Sequence, residues 1–147
     1  PPPGPEAPGL GGIAASPRAA GGADAVKRPF PVLVVDDEEI IRDLIADAAS
    51  GRGFTVRLAA SGEEALACVR EKSYPLVVLD VNLPGQSGKE TAAAIARLRP
   101  ETRFVILTGG GSSAAGEFKG LAGVEGFFCK PFSIVEFLEF LEKQAAR

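Results

Sequence analysis

Short apolar runs alternate with amphipathic stretches along most of the chain. Four unbroken runs occupy residues 32–35, 76–79, 104–107 and 127–129, and a run that alternates apolar and polar residues occupies 55–58. Unbroken runs of this length are typical of strands buried on both faces of a parallel sheet. The alternating run predicts a strand near the edge of the same sheet.

The stretches between the runs carry helix signals. Acidic residues after the first run begin a helix, and we expect its apolar stripe to consist of Ile40, Ile41, Leu44, Ile45 and Ala48. Ser61 and Glu64 have the spacing of a capping box, and Ser133 begins a final helix. About five strand–helix repeats predict an α/β fold with a doubly wound parallel sheet and helices on both faces.

Two helical segments depart from a simple pattern. Glycine is frequent between residues 109 and 123, and each interior glycine costs a helix roughly 1 kcal/mol relative to alanine. We therefore expect the fourth helix, between Ser112 and Leu121, to be short or irregular. In the final helix Phe140 lies off the apolar stripe, so we expect it to be exposed, with a contact to a partner as the alternative.

The first 29 residues differ in composition from the rest. Pro, Gly and Ala dominate residues 1–29, without apolar periodicity, which predicts a flexible linker or tail. The folded domain is expected at residues 30–147. The chain contains no methionine, and we expect it to be a processed product or a piece of a longer protein.

Composition narrows the classes of function. The absence of histidine excludes Ser-His and Cys-His catalysis and most transition-metal sites. A net charge of -3 gives no support to nucleic-acid binding, and no apolar run is long enough to indicate contact with a membrane. Cys68 and Cys129 lie in apolar segments and predict small buried side chains in a reducing cytoplasm.

Polar residues stand where four of the predicted strands end. These residues are Asp36, Asp37, Asp80, Thr108 and Lys130. The right-handed crossovers of a parallel sheet bring such strand ends to one edge, where ligands bind in open α/β sheets. Clustered carboxylates without His or thiolate favour Mg²⁺. Asp80 can act as a nucleophile towards a phosphoryl group, Lys130 offers a positive charge, and Thr108 offers a hydroxyl donor.

These motifs resemble the receiver domain of two-component response regulators. The resemblance rests on Asp36-Asp37, on Asp80-Val-Asn-Leu-Pro-Gly, on Thr108 and on Lys130-Pro131-Phe132, and it covers residues 30–145. It implies a flavodoxin-like sheet of strand order 2-1-3-4-5. It also implies that a histidine kinase, a histidine phosphotransfer protein or a small phosphodonor phosphorylates Asp80.

The resemblance further assigns roles to single residues. Asp37, Asp80 and the backbone carbonyl of Asn82 would bind Mg²⁺, or Mn²⁺, with Asp36 contributing largely through water. The peptide bond between Lys130 and Pro131 would be cis.

Two further residues would form the switch of the family, Thr108 and the aromatic Phe127. Phe127 lacks the hydroxyl of the tyrosine that is common at its position, so only a change of rotamer remains to it. We also expect a mobile fourth helix that becomes ordered on phosphorylation. Residues 109–123 and the final helix would then bind a target or a second copy of the chain.

The resemblance leaves the parent protein open. The favoured parent is a hybrid sensor histidine kinase that carries this domain as its C-terminal receiver. The domain would then lie in the cytoplasm, tethered to its membrane-bound parent kinase. One alternative is a stand-alone response regulator, and another is a pseudo-receiver that serves only for interaction or dimerisation. The domain itself would catalyse only its own phosphorylation and dephosphorylation.

Overall fold

Strands and helices alternate in the computed structural model, which describes residues 30–109 and 114–146. The strands are β1 (Phe30–Val35), β2 (Phe54–Ala59), β3 (Leu76–Asp80), β4 (Arg103–Thr108) and β5 (Val124–Cys129). The helices are α1 (Glu39–Ser50), α2 (Gly62–Glu71), α3 (Gly88–Leu98), α4 (Ala114–Glu117) and α5 (Ile134–Ala145).

The five strands form one parallel sheet in the order β2-β1-β3-β4-β5. Strand β3 lies at the centre, and all of its residues are buried, as its unbroken apolar run predicts. Strand β2 lies at an edge, as its alternating pattern predicts. The predicted doubly wound sheet of order 2-1-3-4-5 is therefore confirmed.

The hydrophobic core has two layers, one on each face of the sheet. Successive residues of β1 point to opposite faces, so Val34 packs with Ile45 of α1 and Phe137 of α5. Its neighbour Leu33 packs on the other face with Ile95 of α3. Because all five strands are parallel, their carboxyl ends share one edge of the sheet.

Side-chain caps begin three of the helices, but the predicted capping box at Ser61 is only half formed. Ser61 accepts a hydrogen bond from the backbone N–H of Glu64, while the Glu64 carboxylate accepts from Ala60 and not from Ser61. The complete capping box lies at α3, where Ser87 and Glu90 bond reciprocally. Both arrangements satisfy N–H groups that a helix leaves unpaired at its first turn.

Two of the five residues predicted for the buried apolar stripe of α1 are exposed. Ile40 is 81% exposed and Leu44 is 43% exposed, whereas Ile45 and Ala49 are buried. Successive residues of a helix are turned by about 100°, so Ile40 and Leu44 lie about 140° and 100° from Ile45 around the axis. Two exposed apolar side chains therefore occupy one flank of α1.

The prediction that Phe140 is exposed is wrong. Its ring packs against the core, and the centroid lies 5.4 Å from that of Phe128. Gly126 of β5 makes this contact fit, because a Cβ there would stand 2.9 Å from the Phe140 ring. The apolar pattern of α5 alone does not show that a glycine faces this position.

The prediction that both cysteines are buried holds for Cys68 and is wrong for Cys129. Cys129 ends the edge strand β5, where Phe128 packs on the α5 side of the sheet. Cys129 and Phe127 alternate with Phe128 and point to the other side. The described α4 on that side has only four residues, so it gives these side chains little cover.

The fourth helix is short, as the glycines between 109 and 123 predict. The linker predicted for residues 1–29 and the helix start predicted near Ser112 lie outside the described residues. None of the described helices has the length and apolar character needed to span a membrane.

Candidate functional site

Three carboxylates meet at the carboxyl edge of the sheet. Asp36 and Asp37 directly follow β1, and Asp80 is the last residue of the neighbouring strand β3. One carboxylate oxygen from each of the three residues lies within 4.8 Å of the other two. Asp36 and Asp80 are buried and Asp37 is exposed, so the cluster is open to solvent on the side of Asp37.

The backbone that follows β1 holds Asp36 in place. The backbone N–H of Glu38 donates to Asp36 Oδ1 at 2.8 Å, and Arg42 Nη1 donates to the carbonyl oxygen of Asp36 at 2.9 Å. Asp36 Oδ2 lies 2.8 Å from Lys130 Nζ, an ion-pair contact whose angles do not meet hydrogen-bond geometry. This fully buried oxygen accepts no hydrogen bond from the described residues.

Asp80 is oriented by contacts at both oxygens. Oδ1 accepts a hydrogen bond from the backbone N–H of Asn82 at 3.0 Å, and Oδ2 accepts one from Lys130 Nζ at 3.1 Å. Burial raises the pKa of Asp80, and the neighbouring Asp36 raises it further. The Asn82 N–H and Lys130 act in the opposite direction. The protein thus holds a carboxylate in an environment that disfavours its charge.

Lys130 contacts three carboxylates. Its Nζ lies 2.8 Å from Asp36 Oδ2, 2.8 Å from Glu38 Oε1 and 3.1 Å from Asp80 Oδ2. Burial on its own lowers the pKa of Lys130, but the contacts with Asp36, Glu38 and Asp80 outweigh burial and leave it above its ordinary value. Lys130 is therefore a permanent positive charge within the cluster.

Backbone contacts set the position of Lys130. The peptide bond between Lys130 and Pro131 is cis, and the backbone N–H of Lys130 donates to the carbonyl oxygen of Thr108 at 2.8 Å. Thr108 is buried as the last residue of β4, beside β3. The ends of β1, β3, β4 and β5 thus meet at one edge, as the sequence predicts.

Phe127, on β5, has a ring contact with the segment after α4. Its side chain is 42% exposed, and its ring meets the edge of the Phe118 ring with 6.4 Å between centroids. Phe118 is buried and follows α4. The aromatic residue predicted as the switch therefore touches the segment that follows the short fourth helix.

Sequence reasoning missed two residues of the site, Glu38 and Arg42. In the sequence Glu38 is only one of the acidic residues at the start of a helix, but its carboxylate contacts Lys130. Arg42, in the first turn of α1, bonds the backbone of Asp36. The only signal in the sequence was their spacing from the acidic pair, and that spacing does not show where a side chain at a helix start will point.

The donor atoms fit a hard divalent cation. All three carboxylates offer oxygen, the ligand atom that Mg²⁺ and Mn²⁺ prefer. The buried Asp36 Oδ2 accepts no hydrogen bond from the described residues, which leaves it available to a cation or to water bound to one. Asp36, Asp37 and Asp80 are the described residues that would hold the ion.

Comparison with known proteins identifies the family. Residues 32–142 match the family model described as the response regulator receiver domain. The chain belongs to this family. Receiver domains accept phosphate from histidine kinases and generally bind Mg²⁺, and the acidic cluster of this chain is consistent with that property.

The relatives include transcriptional regulatory proteins. The chain is 36% identical over 131 residues to transcriptional regulatory protein TcrA of Mycobacterium tuberculosis, which covers 88% of this chain and 50% of TcrA. It is 33% identical over 121 residues to transcriptional regulatory protein ZraR of Salmonella typhimurium, which covers 82% of this chain and 27% of ZraR. The chain thus spans half or less of these relatives.

Solved structures confirm the receiver fold. A CheY-like receiver domain protein of Methanospirillum hungatei matches with a TM-score of 0.74 and 27% identity, over 80% of this chain and 94% of that chain. The BeF3-activated DrrB receiver domain matches with a TM-score of 0.71 and 30% identity, over 81% and 99%. This receiver therefore has the same arrangement of strands as its solved relatives.

Proposed function

We propose that this chain is a phosphoacceptor receiver of a two-component phosphorelay, in which Asp80 accepts the phosphoryl group. The proposal rests chiefly on the contact between Asp80 Oδ2 and Lys130 Nζ, 3.1 Å apart beside the carboxylates of Asp36 and Asp37. A nucleophile and a fixed positive charge thus stand together at the carboxyl edge of the sheet. Family membership supports the same reaction.

The reaction needs one nucleophile and positive charge around it. One carboxylate oxygen of Asp80 attacks the phosphorus of the donor, and a new P–O bond forms. The bond from phosphorus to the leaving group breaks, and the leaving group departs with the electron pair. Lys130 is placed to neutralise charge on the phosphoryl oxygens, which is how proteins usually promote this transfer.

The proposed cation site consists of Asp36, Asp37, Asp80 and the backbone carbonyl of Asn82. A bound Mg²⁺ or Mn²⁺ would supply further positive charge for the phosphoryl group. The hydroxyl of Thr108 is proposed to bond the phosphorylated product, and Phe127 to change rotamer with it. We propose histidine kinases or histidine phosphotransfer proteins as donors, in the cytoplasm.

The first experiment is a mass measurement on the intact protein after incubation with acetyl phosphate. We expect wild type to gain one phosphoryl group when Mg²⁺ is present, and Asp80→Asn to gain none. Asp43→Asn, a change of the same chemistry at an exposed residue of α1, should gain one like wild type. A wild type that gains no mass and does not bind beryllofluoride would instead support the pseudo-receiver alternative.

Two parent proteins are proposed. The Pro/Gly/Ala-rich residues 1–29 before the receiver support a hybrid sensor histidine kinase with a C-terminal receiver. The relatives TcrA and ZraR support a transcriptional regulator. Sequencing the gene on both sides of this segment distinguishes them, because only the first encodes a histidine-kinase core. A gene that encodes neither a histidine-kinase core nor the remainder of a transcriptional regulator would indicate a stand-alone regulator.

A further inference from the structure

The side chain of Glu38, the residue before α1, makes an unusual contact for an N-cap. It is the N-cap of α1, yet its side chain forms no capping hydrogen bond to the helix. The backbone N–H of Glu38 donates to Asp36 instead, and the Glu38 carboxylate lies 2.8 Å from Lys130 Nζ. An N-cap side chain normally satisfies an N–H of the first turn. This one is directed to the lysine of the site.

The ammonium group of Lys130 is surrounded by three carboxylates. Nζ donates hydrogen bonds to Glu38 Oε1 at 2.8 Å and to Asp80 Oδ2 at 3.1 Å. It also forms an ion pair with Asp36 Oδ2 at 2.8 Å. A phosphoryl group that reaches Asp80 brings further negative oxygens to the same ammonium. These oxygens compete with the present carboxylates for one ammonium, and we expect Lys130 to release one of its contacts to meet them.

Exposure to solvent decides which contact is released. The side chain of Asp36 is 0% exposed and that of Asp80 is 5% exposed, whereas that of Glu38 is 58% exposed. A buried carboxylate that loses its partner cannot be rehydrated and is costly. Glu38 is already hydrated in part, so its separation from Lys130 costs least.

We propose that Glu38 is a positioning residue that holds Lys130 before phosphorylation and releases it to the arriving phosphoryl group. The inference rests on the proposed function, because it assigns Lys130 to the phosphoryl oxygens. It adds that the pair between Glu38 and Lys130 opposes the transfer. Weakening that pair should therefore accelerate phosphorylation of Asp80.

The test compares phosphorylation rates by acetyl phosphate at saturating Mg²⁺, followed by intact mass. Glu38→Gln removes the charge, and Glu38→Asp keeps the charge but is one methylene too short to reach Lys130. We expect both to raise the rate constant roughly twofold to fivefold, the range that exposed ion pairs provide. Glu39→Gln, the same loss of charge one residue further on, should stay close to wild type.

Each outcome separates the inference from the function beneath it. Wild type that is phosphorylated, with Glu38 variants that are equally fast or slower, overturns the inference alone. The inference is also overturned if Glu38→Gln and Glu39→Gln raise the rate constant equally while Glu38→Asp keeps the wild-type rate. That result would show that the net charge alone changes the rate. A wild type that is not phosphorylated at Asp80 overturns both. Melting temperatures close to wild type show that the variants are folded.

Discussion

Asp36 and Asp80 are two buried carboxylates whose charges are balanced chiefly by Lys130. Removing the lysine would leave both anions in a poorly solvated site, which typically costs about 3 to 5 kcal/mol for a buried pair. Removing an aspartate instead relieves repulsion between like charges. Asp36 and Asp80 thus repel each other at the site, and unfavourable electrostatic interactions of this kind are common where a reactive group is held.

The two cysteines should differ in reactivity. Cys68 is buried, and burial raises the pKa of its thiol, so it has little thiolate at neutral pH. Cys129 is exposed. We expect iodoacetamide to modify Cys129 first, as seen by peptide mass mapping over time. Cys129→Ser should remove the fast phase and Cys68→Ser should leave it, whereas equal rates at both thiols would contradict the burial of Cys68.

At the scale of elements, the approach of α3 to β3 depends on Gly88. A Cβ at Gly88 would stand 2.5 Å from the carbonyl oxygen of Asp80 and 2.7 Å from Cα of Val81. Both are backbone atoms at the site and cannot move away as a flexible side chain does. We expect Gly88→Ala to lower the free energy of unfolding by about 1 to 3 kcal/mol, the usual cost of overpacking, in urea denaturation.

A second glycine provides the matched control for that experiment. Apart from its chain neighbours and the backbone of α4, no heavy atom of the described residues lies within 4 Å of a Cβ built at Gly116. Gly116→Ala should therefore be neutral, or stabilising by up to about 1 kcal/mol through helix propensity. A Gly88→Ala protein as stable as the control would mean that α3 can move away from the site without loss.

The short α4 leads to a prediction about order. We expect the amides of residues 114–121 to exchange rapidly in the unphosphorylated protein and more slowly with beryllofluoride and Mg²⁺ bound. The contact between Phe118 and Phe127 gives this segment a link to the predicted switch. Hydrogen exchange measured by mass spectrometry, with α5 as the internal reference, tests it. Equal rates in both states would contradict it.

At the scale of the whole molecule, cation binding should stabilise the fold, because the cluster forms only when β1 and β3 pair. Ligand that binds only the folded state stabilises it by about 2.7 kcal/mol at a hundredfold excess over its Kd. We expect Mg²⁺ to raise the melting temperature of wild type and Asp37→Asn to lose most of that rise. Glu63→Gln, at an exposed residue of α2, should keep it.

The sequence predicts the site better than its finer contacts, for physical reasons. Parallel strands carry their last residues to one edge whatever the loops do, so Asp80 and Lys130 could be placed together from the apolar runs alone. The direction of Glu38 depends on backbone angles in the turn after β1, which no periodicity reports. Phe140 depends on Gly126 in another element. The pattern of apolar and polar residues along one element does not show which residues of another element it contacts.

The order of the strands along the chain also has a consequence for synthesis. Asp36, Asp37 and Asp80 precede β5, and Lys130 directly follows it. A ribosome therefore synthesises all three acidic residues before Lys130, which pairs with Asp36 and Asp80. A chain interrupted ahead of residue 124 would hold the carboxylates without the lysine, so a complete β5 is needed before the nascent protein can assemble a balanced site.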